Sequence, residues 1–356
     1  MNLLTRYIAV AVLKGVATVL FVLIAVGTVM DFMAQLSDVG TAQYDLPAAA
    51  AYVALRIPRM VFQLLPAAAL IGALLSLGNL AVHRELVVMR TSGISKLQLM
   101  RPVAIAGFTL MVIMAVLGES LAPSLGAYAR EIRAAAMLDT EELVDGSSAW
   151  LKDGSHIVNF RREPNGLGFG GIYLFELDED NGLRQIAHAD TADIDQNNQW
   201  ILGNYSETVF YGLEGVQADA KRQVIKDYGL SSELLNLSVV RHDLLDTNGL
   251  TRYIDYLEAN DLDATQHLIA YWARMADIVS VLLMTMLALP FVFGGLRSAG
   301  TSARLLVGLL IGLTYYVTAQ AFANSGQVFD FDPRVAAWLP SAILLLITTF
   351  ALMRAR

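Results

Sequence analysis

The side chains of this sequence best placed to do chemistry are arginines in pairs. Arg56 and Arg59 flank Pro58, and Arg130 is followed one helical turn later by Arg133. A guanidinium fork matches a phosphate bidentately, so such pairs suit an anionic ligand. Snorkelling, or bonds to the nearby Glu131 or Asp139, is the competing use. Catalytic signatures are missing. All five lysines (Lys14, Lys96, Lys152, Lys221, Lys226) follow a non-glycine residue, so no Gly-x-x-x-x-Gly-Lys loop exists to cradle a nucleotide. There is no His-Glu-x-x-His and no Gly-x-Ser-x-Gly, and the five histidines are scattered. With no cysteine, disulfides, Cys-ligated metals and thiol nucleophiles are excluded. Asp178-Glu179-Asp180 would attract a cation, but it precedes Asn181-Gly182 and reads as a solvated hairpin tip. The expectation is a non-catalytic chain with no cofactor or metal of its own and no nucleic-acid partner.

Two further groups carry recognition chemistry. His83-Arg84-Glu85-Leu86-Val87-Val88-Met89-Arg90 reads as a short helix stopped by Gly93. Leu86, Met89 and Arg90 share one surface of it, which suits docking into a groove on a partner or lying on lipid. Farther on, Tyr315, Tyr316, Gln320 and Phe322 either line a cavity for a lipid chain or pack between helices, with Gly308 and Gly312 at close contacts.

The elements that must position these residues are membrane spans. Hydrophobic residues make up 55% of the 356 and charged residues only 16%, against about 25% charge in a soluble domain. Six stretches have the roughly 20 apolar residues that crossing a bilayer requires: 8–30, 60–82, 102–118 (extending through Leu121-Ala122-Pro123), 278–296, 305–329 and 335–353. The first is too long for a cleavable signal and has no small-residue cleavage site after it. Basic residues gather on one side: Arg6, Arg84, Arg90, Lys96, Arg101, Arg297, Arg304, Arg354 and Arg356, with Glu85 the single acid. The segment 125–266 instead holds 11 basic and 25 acidic residues. The positive-inside rule then places both termini in the cytoplasm and the insert outside.

Within the insert the period changes to that of strands. Asp153-Gly154 and Asn181-Gly182 are hairpin turns between β-rich runs, and 196–199 joins 191–194 to 200–211. Tyr173, Phe175 and Leu177 share one face of their strand, with Ile172 and Leu174 on the other. Leu250, Tyr253, Ile254 and Leu257 follow helical spacing, with Asn248 or Gly249 as the expected cap. The expected fold is an α-helical membrane protein of six transmembrane helices with an inserted all-β domain. Its parts are 1–124 with the short helix near 83–93, 125–266 with the amphipathic helix, and 267–356.

Several stretches, in order, resemble the YjgP/YjgQ family, the permeases of the lipopolysaccharide export system, on the side of its G-type subunit. They are Arg84-Glu85-Leu86-Val87-Val88-Met89 with Ser92-Gly93, and Gly118-Glu119 with Ala122-Pro123. Ala129-Arg130, Arg133-Ala134 and Ala136-Met137 follow, then Trp150-x-Lys152-Asp153-Gly154, Phe293-Gly294-x-Leu296-Arg297-Ser298 and Leu339-Pro340-Ser341. The resemblance implies a periplasmic β-jellyroll that carries acyl chains, in a multi-pass protein of the bacterial inner membrane. It implies a heterodimer with the F-type paralogue, a cytoplasmic ABC ATPase dimer that binds and hydrolyses the ATP, and a single-span partner of LptC type with its own jellyroll. Arg59, Arg130 and Arg133 match basic positions for the cargo, lipopolysaccharide, with Arg56 and Tyr316 added here; Arg84, Glu85, Leu86 and Met89 match the coupling helix. One departure stands out: where the family carries lysines after the first span, this chain reads Phe32-Met33-Ala34-Gln35-Leu36-Ser37-Asp38. The alternatives are a permease for another envelope lipid or lipoprotein, or an envelope scaffold that transports nothing.

Overall fold

The computed structural model describes residues 3–137, 148–162, 169–178, 182–194, 199–211, 215–226, 245–293, 300–328 and 331–354. They form two compact units. One comprises Met1–Gly40, Tyr44–Arg133 and Thr265–Arg356; the other comprises Ala134–Ala264 with Thr41–Gln43.

The first unit is a helical bundle. Helices α1 (Leu3–Gln35) and α2 (Leu46–Val82) precede the short α3 (Glu85–Thr91). Then α4 (Lys96–Val116) runs through a π-helical turn (Leu117–Leu121) into α5 (Ala122–Met137). After the sheet come α6 (Thr247–Ala259), which belongs to the second unit, and then the bundle helices α7 (Thr265–Phe293), α8 (Thr301–Val328) and α9 (Pro333–Arg354). Among the described residues, six helices are long and apolar enough to cross a membrane, with Gln98–Met137 counting as one. The third is longer than its apolar run suggests. Charges at Glu119, Arg130, Glu131 and Arg133 end the hydropathy signal, yet the backbone ladder continues for five more turns, so both arginines sit on the same rod as the span.

The bundle core is built on α2 and α7, whose residues from Leu65 to Leu80 and from Val281 to Val292 are largely buried. Small residues set the closest approaches, as close packing without a hydrophobic drive in lipid requires. Gly15 of α1 meets Gly72 and Ser76 of α2 with no room for a Cβ, and Gly308 lies against Ile71 and Leu74. At the π-turn, a Cβ on Gly118 would come within 2.5 Å of the Phe62 ring.

The second unit is an antiparallel sheet of six strands in sequence order: β1 (Ser148–Asp153), β2 (His156–Arg162), β3 (Phe169–Leu177), β4 (Leu183–Ile194), β5 (Trp200–Phe210) and β6 (Val216–Lys226). The turn residues dictate the hairpins. Gly154, at φ +56°, joins Asp153 to its register partner His156. Asp178 accepts from the Gly182 amide at 2.6 Å; Asn181 between them lies outside the described residues, as does 195–198. The apolar side of β3 is the Ile172–Leu174 face, buried along with Val158 and Ala187, whereas Tyr173 is 45% exposed. A crease crosses the sheet at Gly171 (φ +62°), Asp190 and Asn204 (φ +49°), which share one row of the register. Beyond it the buried residues change parity, from Ala187, Ala189 and Tyr205 to Ala192, Leu202 and Trp200. Left-handed residues of this kind re-aim strands, here keeping apolar groups inward as the sheet bends.

Helix α6 is capped by Asp246, which accepts from the Gly249 amide at 2.9 Å; the expected caps Asn248 and Gly249 are already helical. Asp246, two residues before Asn248 and three before Gly249, provides the acceptor that glycine lacks. The Tyr256 hydroxyl donates to the Lys152 carbonyl (2.6 Å) and accepts from its amide (2.8 Å), covering the β1 edge.

Candidate functional site

Helical spacing brings the arginines to one place. Tyr52, Arg56 and Arg59 recur at i, i+4 and i+7 on α2; Ala129 and Arg133 recur at i, i+4 on α5. Asp31, Gln35 and Asp38 do so along the end of α1 and the turn after it. Arg56 donates to Asp31 Oδ1 at 2.9 Å, and Arg133 donates to Asp38 Oδ2 at 2.7 Å. Both guanidiniums also lie over the ring of Tyr52, at 5.2 Å and 5.3 Å from its centroid, within cation–π range. Tyr52 itself is wedged with Val53 and Ala129 against Phe32 and Leu55. One buried aromatic ring is thus the common platform for two arginines from two helices.

The carboxylates here are not those expected. Glu131 and Asp139 were the nearby candidates; Asp139 lies outside the described residues, and the partners found are Asp31 and Asp38, brought in from α1 by tertiary packing. Asp31 Oδ2 is buried with no donor among the described residues. Behind the pair, the buried Tyr44 hydroxyl donates to Gln35 Oε1 at 3.3 Å. Burial pushes its phenol above the ordinary value, with the Arg133 guanidinium pulling the other way. Arg130 turns back on its own helix, its Nε donating to the Gly126 carbonyl at 3.3 Å, and Arg59 is half-buried on α2. Tyr316 is 59% exposed, whereas its neighbour Tyr315 turns inward to the Ser341 hydroxyl at 3.0 Å.

At the other end of α2, the chain enters α3 through Arg84 in the left-handed region (φ +62°) and leaves it through Gly93 (φ +90°), the expected stop. The expected apolar anchors for a partner are turned the other way: Leu86 is 3% exposed and Met89 packs with it on the bundle core. Burial against the chain's own helices wins for these side chains, while Val88 of α3 is exposed. Glu85 accepts a hydrogen bond from the Tyr7 hydroxyl of α1 at 2.9 Å. Arg304, expected as a surface charge, is 2% exposed and lies over Gly78 in the last turns of α2. Arg297 lies outside the described residues.

These features belong to a helical bundle with a β insert, and the family model for lipopolysaccharide export system permease LptF/LptG matches residues 6–354. The chain belongs to that family. It is 31% identical over 354 residues to the lipopolysaccharide export system permease protein LptG of Escherichia coli K12, covering 99% of this chain and 98% of that one. It is 29% identical over 356 residues to LptG of Haemophilus influenzae, covering 100% and 99%. LptF of Escherichia coli K12 is 21% identical over 350 residues, covering 96% and 92%. The LptF/LptG family therefore accounts for the six spans and the inserted sheet over nearly the whole chain, and the similarity favours the LptG side. Sequence reasoning missed Tyr52, Asp31, Asp38 and Tyr7, whose contacts span up to 95 residues in sequence.

Proposed function

We propose that this chain is the G-type permease subunit of an ATP-driven transporter that extracts lipopolysaccharide from the bacterial inner membrane. It pairs with an F-type paralogue, and ATP is bound and hydrolysed by a cytoplasmic ABC ATPase dimer. Both termini and α3 face the cytoplasm; the β-sheet unit stands in the periplasm and passes lipid to a single-span LptC-type partner and on to the outer-membrane bridge. Nucleotide-driven closure of the ATPases pushes on α3, narrows the cavity between the permeases and squeezes the lipid outward. The absence of a P-loop lysine from the sequence supports the division of labour.

The observation that carries the reading is the Arg56–Tyr52–Arg133 constellation, a doubled guanidinium platform at one end of a membrane bundle. Arg59 and Arg130 extend it along the same helices, and Tyr316 offers its exposed ring to an acyl chain. At α3, Arg84, Glu85 and Val88 meet the ATPase, with Leu86 and Met89 fixing the helix on the bundle. Hydrogen bonds to charged groups are worth roughly 1.5–3 kcal/mol each, so losing two should weaken lipid capture by about a hundredfold or more. Photocrosslinking of lipopolysaccharide to the Arg130→Ala, Arg133→Ala double variant measures this; capture equal to the parent would place the headgroup site elsewhere.

A further inference from the structure

The two arginines best placed to receive a phosphate are already occupied by carboxylates of the same chain. Asp31 and Asp38 hold Arg56 and Arg133 at 2.9 Å and 2.7 Å. We propose that Asp31 and Asp38 are tethered competitors that set a threshold for the headgroup, admitting phosphomonoesters and turning away phosphodiesters. This rests on the reading above, that Arg56 and Arg133 receive the cargo's phosphate.

The argument is one of exchange. A carboxylate presents one negative charge and two acceptor oxygens to a guanidinium fork. A phosphodiester headgroup presents the same: one charge and two free oxygens. The resident carboxylate is held beside its arginine by the fold, so it competes at a high effective concentration, while the lipid must pay the cost of association. On equal chemistry the tethered group wins. A phosphomonoester differs in kind. It carries about −1.5 to −2 charges near neutral pH and three free oxygens, so it attracts a guanidinium more strongly than one carboxylate does.

The displaced carboxylates have somewhere to go. The Asp38 side chain is 35% exposed, on the turn after α1, and can swing to solvent. Asp31 is the tighter of the two at 16%, but its Oδ2 accepts no hydrogen bond from the described residues, so its present seat satisfies only half of the group. The Tyr52 ring keeps both guanidiniums in place when the carboxylates leave, because the cation–π contacts do not depend on them.

The test uses the full-length permease, co-expressed with the subunits it copurifies with, in phosphatidylcholine nanodiscs at pH 8. The probes are phosphatidic acid, a phosphomonoester, and phosphatidylglycerol, a phosphodiester, with retained lipid read by native mass spectrometry. The parent is expected to retain phosphatidic acid in preference to phosphatidylglycerol. In the Asp31→Asn, Asp38→Asn double variant the preference is expected to shrink about tenfold, chiefly through gain of phosphatidylglycerol. An unchanged ratio in that variant overturns the proposal, and so does a loss of both lipids. The Arg56→Gln, Arg133→Gln variant separates the two readings: if it retains phosphatidic acid like the parent, the headgroup site itself is misplaced. Displacement of phosphatidic acid by millimolar inorganic phosphate would make free phosphate the ligand and overturn the lipid assignment. Single Asp38→Asn, at the more exposed position, is the variant least able to disturb folding, and a shift of the ratio in the same direction is expected of it.

Discussion

Replacing Gly72 by alanine tests how tightly α1 is held to α2. A Cβ there would land on the Val16 backbone, 2.5 Å from its nitrogen and 2.8 Å from the Gly15 carbonyl carbon. Ordinary contact begins near 3.4 Å, so the helices must part by about 1 Å, and backbone atoms on both sides leave no side chain to give way. Overpacking of this kind costs typically ~1–3 kcal/mol. The displacement has functional reach, because α1 holds Glu85 through Tyr7 at one end and Arg56 through Asp31 at the other. Gly27→Ala is the matched control: it adds the same methyl group to the same interface but meets only the Met60 sulfur, at 3.7 Å. Since glycine inside a helix is itself unfavourable by roughly 0.5–1 kcal/mol against alanine, that variant should match or exceed the parent. Thermal unfolding of each purified variant in one detergent gives the comparison. Gly72→Ala should melt lower and Gly27→Ala should not; equal midpoints for the two variants would mean that the close crossing at Gly15–Gly72 does not govern this helix pair.

Other consequences are open to measurement. Tyr256→Phe removes both bonds to the Lys152 backbone, a loss of roughly 1–3 kcal/mol, and should speed hydrogen exchange at the Lys152 amide; unchanged protection would refute the edge-covering role. Burial works against the Glu207 carboxylate, but hydrogen bonds from Tyr205 and Lys226 and the charges of Lys226 and Lys221 outweigh it and hold it below the ordinary 4.5. A depressed folded value stabilises the sheet above that pH and ceases to as pH falls through it, so the unfolding midpoint should drop in acid, and Glu207→Gln should flatten that drop; a variant with the parent's acid dependence would assign it to other groups. Glu85→Lys breaks the bond to Tyr7 and puts a cation on a helix whose neighbours are basic; it should lower recovery of the ATPase in pull-downs or uncouple hydrolysis from lipid release, and normal values for both would move coupling to another loop.

The parts of this fold legible in the sequence are those set by local chemistry. Spans announce themselves by unbroken apolar runs, and Asp153-Gly154 fixes a hairpin because few residues accept the left-handed backbone found at Gly154 (φ +56°). Where polarity and structure part company the reading stops short. Charges at 119–133 hid the continuation of the third helix, and β6, mostly exposed and polar, gave no apolar alternation to find. The candidate site was half visible. Arg56 and Arg133 stood out as unusual cations, but their aromatic platform and counter-ions come from other helices, 25 and 95 residues away in the case of the aspartates. The apolar surface of α3 was visible too, yet nothing local says whether Leu86 faces a partner or its own bundle.

The central claim, that this chain moves lipopolysaccharide at the expense of ATP hydrolysed elsewhere, is tested most directly by transfer in proteoliposomes. The permease would be reconstituted with its paralogue, the ATPase and the single-span partner in vesicles containing lipopolysaccharide, and lipid crosslinked to an added soluble jellyroll acceptor would be followed over time. The account predicts transfer that requires ATP and all the subunits and that falls when Arg56 and Arg133 are both neutralised. Transfer at the same rate without ATP, or none from a complex that hydrolyses ATP normally, would contradict it.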